Sequence, residues 1–438
     1  MEKVNGTTNN GSSTDGIAAD VPIPTSKESS LELPSWINSD YFKEILASDG
    51  KSELKYISHD VRMANEKGEN YASVLYRVKV IAENKENVTE ELSYILKVNH
   101  ILEDGPTKEI MEVFNVFTKE VEMYRSVVPS IEQLLHKSGD FTQISPKCIK
   151  TSTSAPEQIV LEDLSKKGFK MASRHEGLNW DHVKLVIERL SKFHAASAVL
   201  QENNGPYRDV LLQGMFNEKL KPLVEVFFNS NLAMLREGVQ QLANGARYIK
   251  QMDNYEKECF EKSIEVTKCN PDGFNVLNHG DLWTNNLMFK YDDNDNVEDM
   301  LFIDLQMSVW GSPAIDLHYF IVSSTEKRLK TAEFDAIIQH YHEHLVKTLK
   351  ELGYKARIPT LLELQVDLLQ RGFLGVMASV SVLPVVLLKD CEDADISNML
   401  DEGDAGMNFK RKLYLNPAYV NMLDMLYDYY DKKGILQI

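Results

Sequence analysis

Between residues 279 and 304 the chain sets three oxygen-bearing side chains in an order that phosphoryl transfer could use. Asp281 and Asn286 stand five residues apart in the stretch HGDLWTNN (279–286), and Asp304 closes the apolar run MLFID eighteen residues after Asn286. Phosphoryl transfer is mostly positioning and charge neutralisation. It needs a carboxylate to orient and deprotonate the acceptor hydroxyl, oxygen ligands for Mg²⁺, and a cation on the nucleotide phosphates. An Asp-x-x-x-x-Asn pair followed by an aspartate at the end of a short hairpin supplies the first two. Asp281 is then the base, and Asn286 and Asp304 are the metal ligands. A bare pair of this kind occurs in many polar loops. Here it is set apart by His279-Gly280 before Asp281, by the strand-like NLMF after Asn286, and by the apolar run that Asp304 ends.

The remaining parts of such a site are expected upstream, in order. Lys97, late in SYILKV, is the candidate cation for the nucleotide phosphates; an edge-strand lysine is the bland alternative. Glu120 in FTKEVEMY is its candidate partner, and Glu122 falls on a different helical face. A turn over the phosphates should precede Lys97, where NEKGENYASV offers Gly68 and the Ser73 hydroxyl but no G-x-G-x-x-G. A hinge strand for the base of the nucleotide is read in VLEDL (160–164), with Glu162 and Leu164 as candidate contacts. Each part is modest alone; their collinearity carries the reading.

These residues need elements to hold them. Apolar spacing through Trp36, Ile37, Phe42, Ile45 and Leu46 predicts a first helix. The runs YASVLYRVKVIAE and ELSYILKVN read as strands around the turn NKENVT. EIMEVFNVFTKEVEMYRSVVP has helical periodicity, with an expected end at Pro129. QIVLEDL reads as another strand. From Leu178 the character becomes helical, beginning with the amphipathic WDHVKLVIERLSKFHAASAVL. NLMFKYDDNDNVEDMLFIDL is a hairpin around an acidic tip. The reading is α+β: a disordered tail over 1–34, a β-rich nucleotide-binding lobe over 35–163, and a mainly helical catalytic and acceptor-binding lobe over 164–438.

Composition limits the partners. A net charge of −18 argues against nucleic acid or an anionic membrane surface. Cys148, Cys259, Cys269 and Cys391 form no CxxC pair, which points to free thiols rather than a disulfide framework or zinc site. No apolar leader is visible at the N-terminus, so a cytoplasmic location is expected. The run FLGVMASVSVLPVVLL (373–388) contains Pro384 and is short for a bilayer; it reads as a buried helix. His340 and His344 in HYHEH stand at i, i+4, but no H-E-x-x-H follows, and the helix reads as an ordinary amphipathic one. No protein partner is evident.

GENYASVLYRV, FTKEVEMY, VLEDL, LSKFHAASAVL, NHGDLWTNNLMF and IDLQMSVWGSPAIDL together resemble the ecdysteroid kinase-like, or CHK kinase-like, proteins. That family is abundant in insects and related to choline kinases and aminoglycoside phosphotransferases. The resemblance spans residues 35–425 and implies a protein-kinase-like two-lobed fold. It also implies ATP- and Mg²⁺-dependent phosphorylation of a small-molecule hydroxyl. The acceptor would be a lipophilic alcohol, an ecdysteroid or a foreign compound, with a choline- or ethanolamine-type kinase and a nucleotide-binding pseudokinase scaffold as alternatives. The resemblance assigns Asp316, in PAIDLHYF, to bracing the catalytic loop. Gly280 replaces the arginine of H-R-D, Leu305-Gln306 replaces Phe-Gly of D-F-G, and no A-P-E follows. These departures argue against a protein kinase controlled by loop phosphorylation.

Overall fold

The computed structural model describes residues 33–64, 73–99, 106–389, 401 and 403–437. The expected tail (1–32 of it) and the Gly68 turn lie outside them. The chain divides into a short unit, Met1–Ile37, and a large one, Asn38–Ile438. In the short unit the described residues form only a turn, with the Ile37 amide donating to Pro34 O.

In the large unit, helix α1 (Ser39–Ser48) starts under an Asn38 cap and buries Phe42, Ile45 and Leu46. A five-stranded antiparallel sheet follows, in the order β1-β2-β3-β5-β4. Its strands are β1 (Lys55–Met63), β2 (Ser73–Glu83), β3 (Thr89–Asn99), β4 (Cys148–Ser152) and β5 (Gln158–Glu162). Strand β1 escaped the sequence reading because it lies at the sheet edge with no residue buried, so no alternation marks it. Strand β3 is interior: Lys97 sits opposite Leu75 on β2 and Ile159 on β5. The edge-strand alternative for Lys97 therefore falls away.

Between β3 and β4 the chain is helical: α2 (Pro106–Phe114), α3 (Val116–Glu122), a π-helical turn (Met123–Val127) and α4 (Val128–Lys137). The expected end at Pro129 is wrong. The π turn delivers Pro129 into the first turn of α4, where a helix has no acceptor for the missing N–H.

Past β6 (Phe169–Met171), α5 (Trp180–Asn204) runs along α10 (Phe334–Glu351). Helices α6 (Lys221–Val239), α7 (Gly245–Tyr255) and α8 (Cys259–Thr267) lead to strand β7 (Val276–Asn278) and the expected hairpin. The hairpin is β8 (Leu287–Tyr291) and β9 (Val297–Phe302), in a sheet ordered β6-β8-β9, while β10 (Val309–Gly311) pairs with β7. Helix α9 (Ala314–Ser324) precedes α10, and α11 (Leu361–Gln370) follows it. The apolar run 373–388 is two helices rather than one, α12 (Phe373–Ser381) and α13 (Leu383–Leu387), because Pro384 opens a new first turn. One apolar cluster joins Phe117 and Val121 of α3, Phe193 of α5, Leu282, Phe302, Leu317 of α9 and Ile337 of α10. It ties α3 to the loop after β7 through a continuous core. Among the described residues no helix is long and apolar enough to cross a membrane.

Candidate active site

The loop after β7 is fixed from three sides. The His279 ring is buried; its Nε2 donates to Ile303 O at 3.0 Å, and its Nδ1 receives the Asp281 amide at 3.4 Å. One imidazole thus joins the loop to the segment ending in Asp304. Gly280 has φ +82°, and a Cβ there would lie 2.0 Å from Met307 O, so only glycine fits. Asp316, at the start of α9 and fully buried, receives the His279 amide on Oδ2 (2.6 Å) and the Gly280 amide on Oδ1 (2.9 Å). Its Oδ2 also meets His194 Nε2 of α5 at 3.1 Å, and His194 Nδ1 meets the Tyr341 hydroxyl of α10 at 2.8 Å. Burial lowers the His194 pKa against the pull of Asp316. A neutral ring satisfies both contacts, donating to Asp316 and accepting from Tyr341. Asp316 does what the resemblance implied, and α5 and α10 extend the brace.

The loop presents Asp281 between two donors. Tyr319 O–H reaches Oδ1 at 2.6 Å, and Asn286 Nδ2 reaches Oδ2 at 2.9 Å and the Asp281 carbonyl at 2.8 Å. Burial raises the Asp281 pKa, the Tyr319 bond opposes that, and Asp304 adds to it. Because Asn286 bonds through its nitrogen, its Oδ1 stays outside those contacts.

Asp304 adopts φ 61°, ψ 63°, a left-handed conformation uncommon outside glycine. Lys97 Nζ lies 2.8 Å from Asp304 Oδ1 and 2.6 Å from Glu120 Oε2. Glu120 is 1% exposed and Lys97 5%, so both side chains are held out of water. Burial pulls against the Lys97 charge, but Asp304 and Glu120 outweigh it and its pKa is raised. Burial pushes Glu120 upward, opposed by Lys97. Burial favours the protonated form of such a carboxylate, and the lysine opposes that shift without cancelling it. Glu122, on the other face, pairs instead with Arg125 (3.1 Å) and Arg208. Asn286 and Asp304 offer hard oxygen ligands, and the neighbouring His279 has both ring nitrogens occupied. That donor set fits Mg²⁺ better than a softer ion.

The hinge candidates are placed less distinctively. Strand β5 neighbours β3, with Glu162 opposite Tyr94. The Glu162 carboxylate is taken by Gln143 Nε2 (2.7 Å) and the Lys147 amide (2.8 Å), and its own amide donates to Lys147 O at 3.0 Å. Little of Glu162 remains for a ligand. Leu164 is buried in a small apolar cluster with Phe169 and Leu301, and Met288 and Ile303 pack against it. Ile303 immediately precedes Asp304, so this cluster adjoins the metal-ligand candidate. Ser73 is buried at the start of β2, opposite Asn99.

A cavity of about 490 Å³ opens beside the loop, within the size range of drug-like sites. Gly280 and Tyr319 belong to its wall, as do Met307, Trp310 and Ile315. Leu374, Met377, Ala378 and Ser381 line it from α12 at i, i+3, i+4 and i+7, one stripe of that helix. Phe373, Val376 and Val380 of the same helix face the core formed with the last two helices, Asp404–Tyr414 and Pro417–Lys432. The apolar run is thus both core and cavity wall. The charged wall residues are Glu218 and Lys268, both exposed. The loop residues Leu212–Asn217 complete the wall, and Lys119 Nζ donates to Gln213 O at 2.5 Å. Burial pushes the Lys119 pKa down to about 8. Helix α3 therefore touches Lys97 through Glu120 and the cavity loop through Lys119.

Sequence reasoning passed over Tyr319, the His279 ring contacts and Lys119. Tyr319 carried a signal in hindsight: it lies three residues after Asp316 on one helix, on the neighbouring turn. The model of the ecdysteroid kinase-like family matches residues 67–354, which span the loop, lysine and brace residues from Gly68 to Tyr341 but not the α12 wall of the cavity. Comparison with curated proteins gives no match.

Proposed function

The chain belongs to the ecdysteroid kinase-like family, and from that premise we propose that it is an ATP-dependent kinase acting on the hydroxyl of a lipophilic alcohol. The observation that carries this reading is Tyr319. Tyr319 is part of the cavity wall and its hydroxyl holds Asp281, so a molecule in the cavity lies near the candidate base. The apolar wall favours a greasy acceptor, an ecdysteroid or a foreign alcohol, because buried hydrocarbon contributes about 25 cal/mol per Å². A choline-type acceptor needs a carboxylate and aromatic cage. The wall's one carboxylate, Glu218, is exposed.

In this mechanism Asp281 receives the proton of the acceptor hydroxyl as its oxygen bonds to the terminal phosphorus of ATP. The bond from that phosphorus to its bridging oxygen breaks, and ADP leaves. Asp281 acts from a fixed position, since Tyr319 and Asn286 hold its two oxygens and Asp316 holds its loop. Lys97, set by Glu120, exchanges its contact with Asp304 for the nucleotide phosphates. Asn286 and Asp304 would hold Mg²⁺, which supplies charge neutralisation on those phosphates. The half-buried faces of Met288 and Ile303 offer an apolar floor for the nucleotide base. On this reading the nucleotide sits between the two lobes expected from the sequence, 35–163 and 164–438.

The deciding experiment is a radiolabelled-ATP screen with Mg²⁺ against ecdysteroids, other lipophilic alcohols, choline and ethanolamine. Turnover of a lipophilic alcohol is expected. Efficient choline phosphorylation with no turnover of any lipophilic alcohol would overturn the acceptor assignment, and nucleotide binding without any turnover would favour a scaffold.

A further inference from the structure

The two histidines that lacked a third ligand in sequence acquire one from another helix. His340 and His344, one turn apart on α10, both direct Nε2 at Glu188 of α5. The distances to Glu188 Oε1 are 3.1 Å and 3.7 Å. All three ligand atoms lie within 4.8 Å of one another. Two ligands bound to one tetrahedral ion at roughly 2.0–2.2 Å stand about 3.4 Å apart. The two measured separations straddle that value. The three side chains are partly exposed, so an ion and a completing water can reach them. The nearby cations are turned elsewhere: Lys192 pairs with Asp140 at 2.7 Å, and Lys347 faces Glu351 at 4.0 Å.

We propose that Glu188, His340 and His344 form a binding site for one divalent transition cation of the zinc class, with water as a fourth ligand. Two imidazoles and a carboxylate suit such an ion rather than Mg²⁺. Both histidines would bind through Nε2 with the proton on Nδ1, which requires the His340 contact to Glu188 to give way to metal bonds. The site clamps α5 to α10. Tyr341 follows His340 directly, and His194 lies less than two turns beyond Glu188; these two form the 2.8 Å contact behind Asp316. The ion would therefore stiffen the pair of helices that braces the candidate catalytic loop, without touching a reacting group.

The test is a Co²⁺ titration of the untagged full-length chain in excess Mg²⁺, which keeps the hard oxygen site occupied. One equivalent should bind with visible d–d bands and no thiolate charge-transfer band in the near ultraviolet, and Zn²⁺ should displace it. His344→Ala should abolish that equivalent, and Glu188→Gln should weaken it at least tenfold, with circular dichroism unchanged in both. Zn²⁺ should raise the melting temperature of the parent and not of His344→Ala. Equal binding by the parent and by a folded His344→Ala would overturn the proposal. So would a thiolate band, which assigns the ion to a cysteine, or absence of binding by the parent.

Discussion

Replacing Tyr319 with phenylalanine removes one oxygen and leaves the ring that forms part of the cavity wall. The lost contact is the 2.6 Å bond to Asp281 Oδ1. Burial raises the Asp281 pKa and this bond holds it down, so removing the bond raises it further. A hydrogen bond to a charged group contributes about 1.5–3 kcal/mol, and 1.36 kcal/mol is tenfold in an ionisation equilibrium, so the change is roughly ten- to a hundredfold. The base works as a carboxylate. Activity therefore falls as pH drops through its pKa, and in Tyr319→Phe that acid limb moves to higher pH. At a pH on the limb kcat/KM should fall by roughly ten- to a hundredfold, while on the alkaline plateau the loss should be small. The assay is kcat/KM for the acceptor against pH at saturating MgATP, with KM for ATP as the internal control. Superimposable acid limbs would refute the reasoning, because either Asp281 does not receive the proton or Tyr319 does not govern it. A uniform loss at every pH would also refute it, since that marks a contact that only positions the acceptor.

Asp281→Asn should lower kcat by roughly a hundredfold or more while MgATP affinity by calorimetry stays near the parent value. Because burial disfavours its ionised form, the same variant should melt at a higher temperature at neutral pH, as thermal unfolding will show. Asp304→Ala should weaken MgATP binding far more than binding of ATP without metal; equal losses in both titrations would remove Asp304 from the metal site. Ile315→Ala should lower kcat/KM for a lipophilic acceptor about fivefold, about 1 kcal/mol for part of a side chain that is only half buried, with KM for ATP unchanged. Lys119→Met should raise the acceptor KM by loosening the loop at Gln213, with the ATP affinity following if α3 couples the two sites.

The candidate reacting groups were legible because phosphoryl transfer, as proposed, restricts them locally. Asp281 and Asn286 must share one loop, and Asp304 must end the strand beside it, so residue type and spacing survive in a short stretch of sequence. Lys97 and Glu120 were legible for a different reason: each is a charged residue within an apolar-periodic segment, and burial of both at 2.6 Å is what such a placement predicts when the two meet. The helix boundary at Pro129 was misread because nothing local announces the π turn that shifts the proline into a first turn. Strand β1 was missed because an exposed edge strand needs no apolar face. The phosphate turn at Gly68 lies outside the described residues, and the hinge contact of Glu162 is answered by local bonds that use its carboxylate and amide.

The cavity was illegible for a deeper physical reason. Its wall is drawn from a loop near residue 215, the end of α8, the segment after Asp304, α9 and one stripe of α12. Each contributes a few apolar side chains that, read alone, are indistinguishable from core. On α12 the two roles overlap: Val376 and Met377 share one core cluster, and Met377 also lines the cavity. No spacing within one segment encodes those roles, since they depend on which helices pack on each side. The candidate base can be kept while the pocket is rebuilt, because Asp281 is held by Asn286, Tyr319 and the Asp316 brace. Tyr319 alone of these also belongs to the wall. Changes among Leu374, Met377 and Ala378 are expected to alter what fits, since these residues line the cavity and none of them bonds Asp281. Acceptor preference is therefore expected to vary through α12 and the 212–217 loop while the chemistry stays fixed, and Tyr319 is the position where the two cannot vary independently.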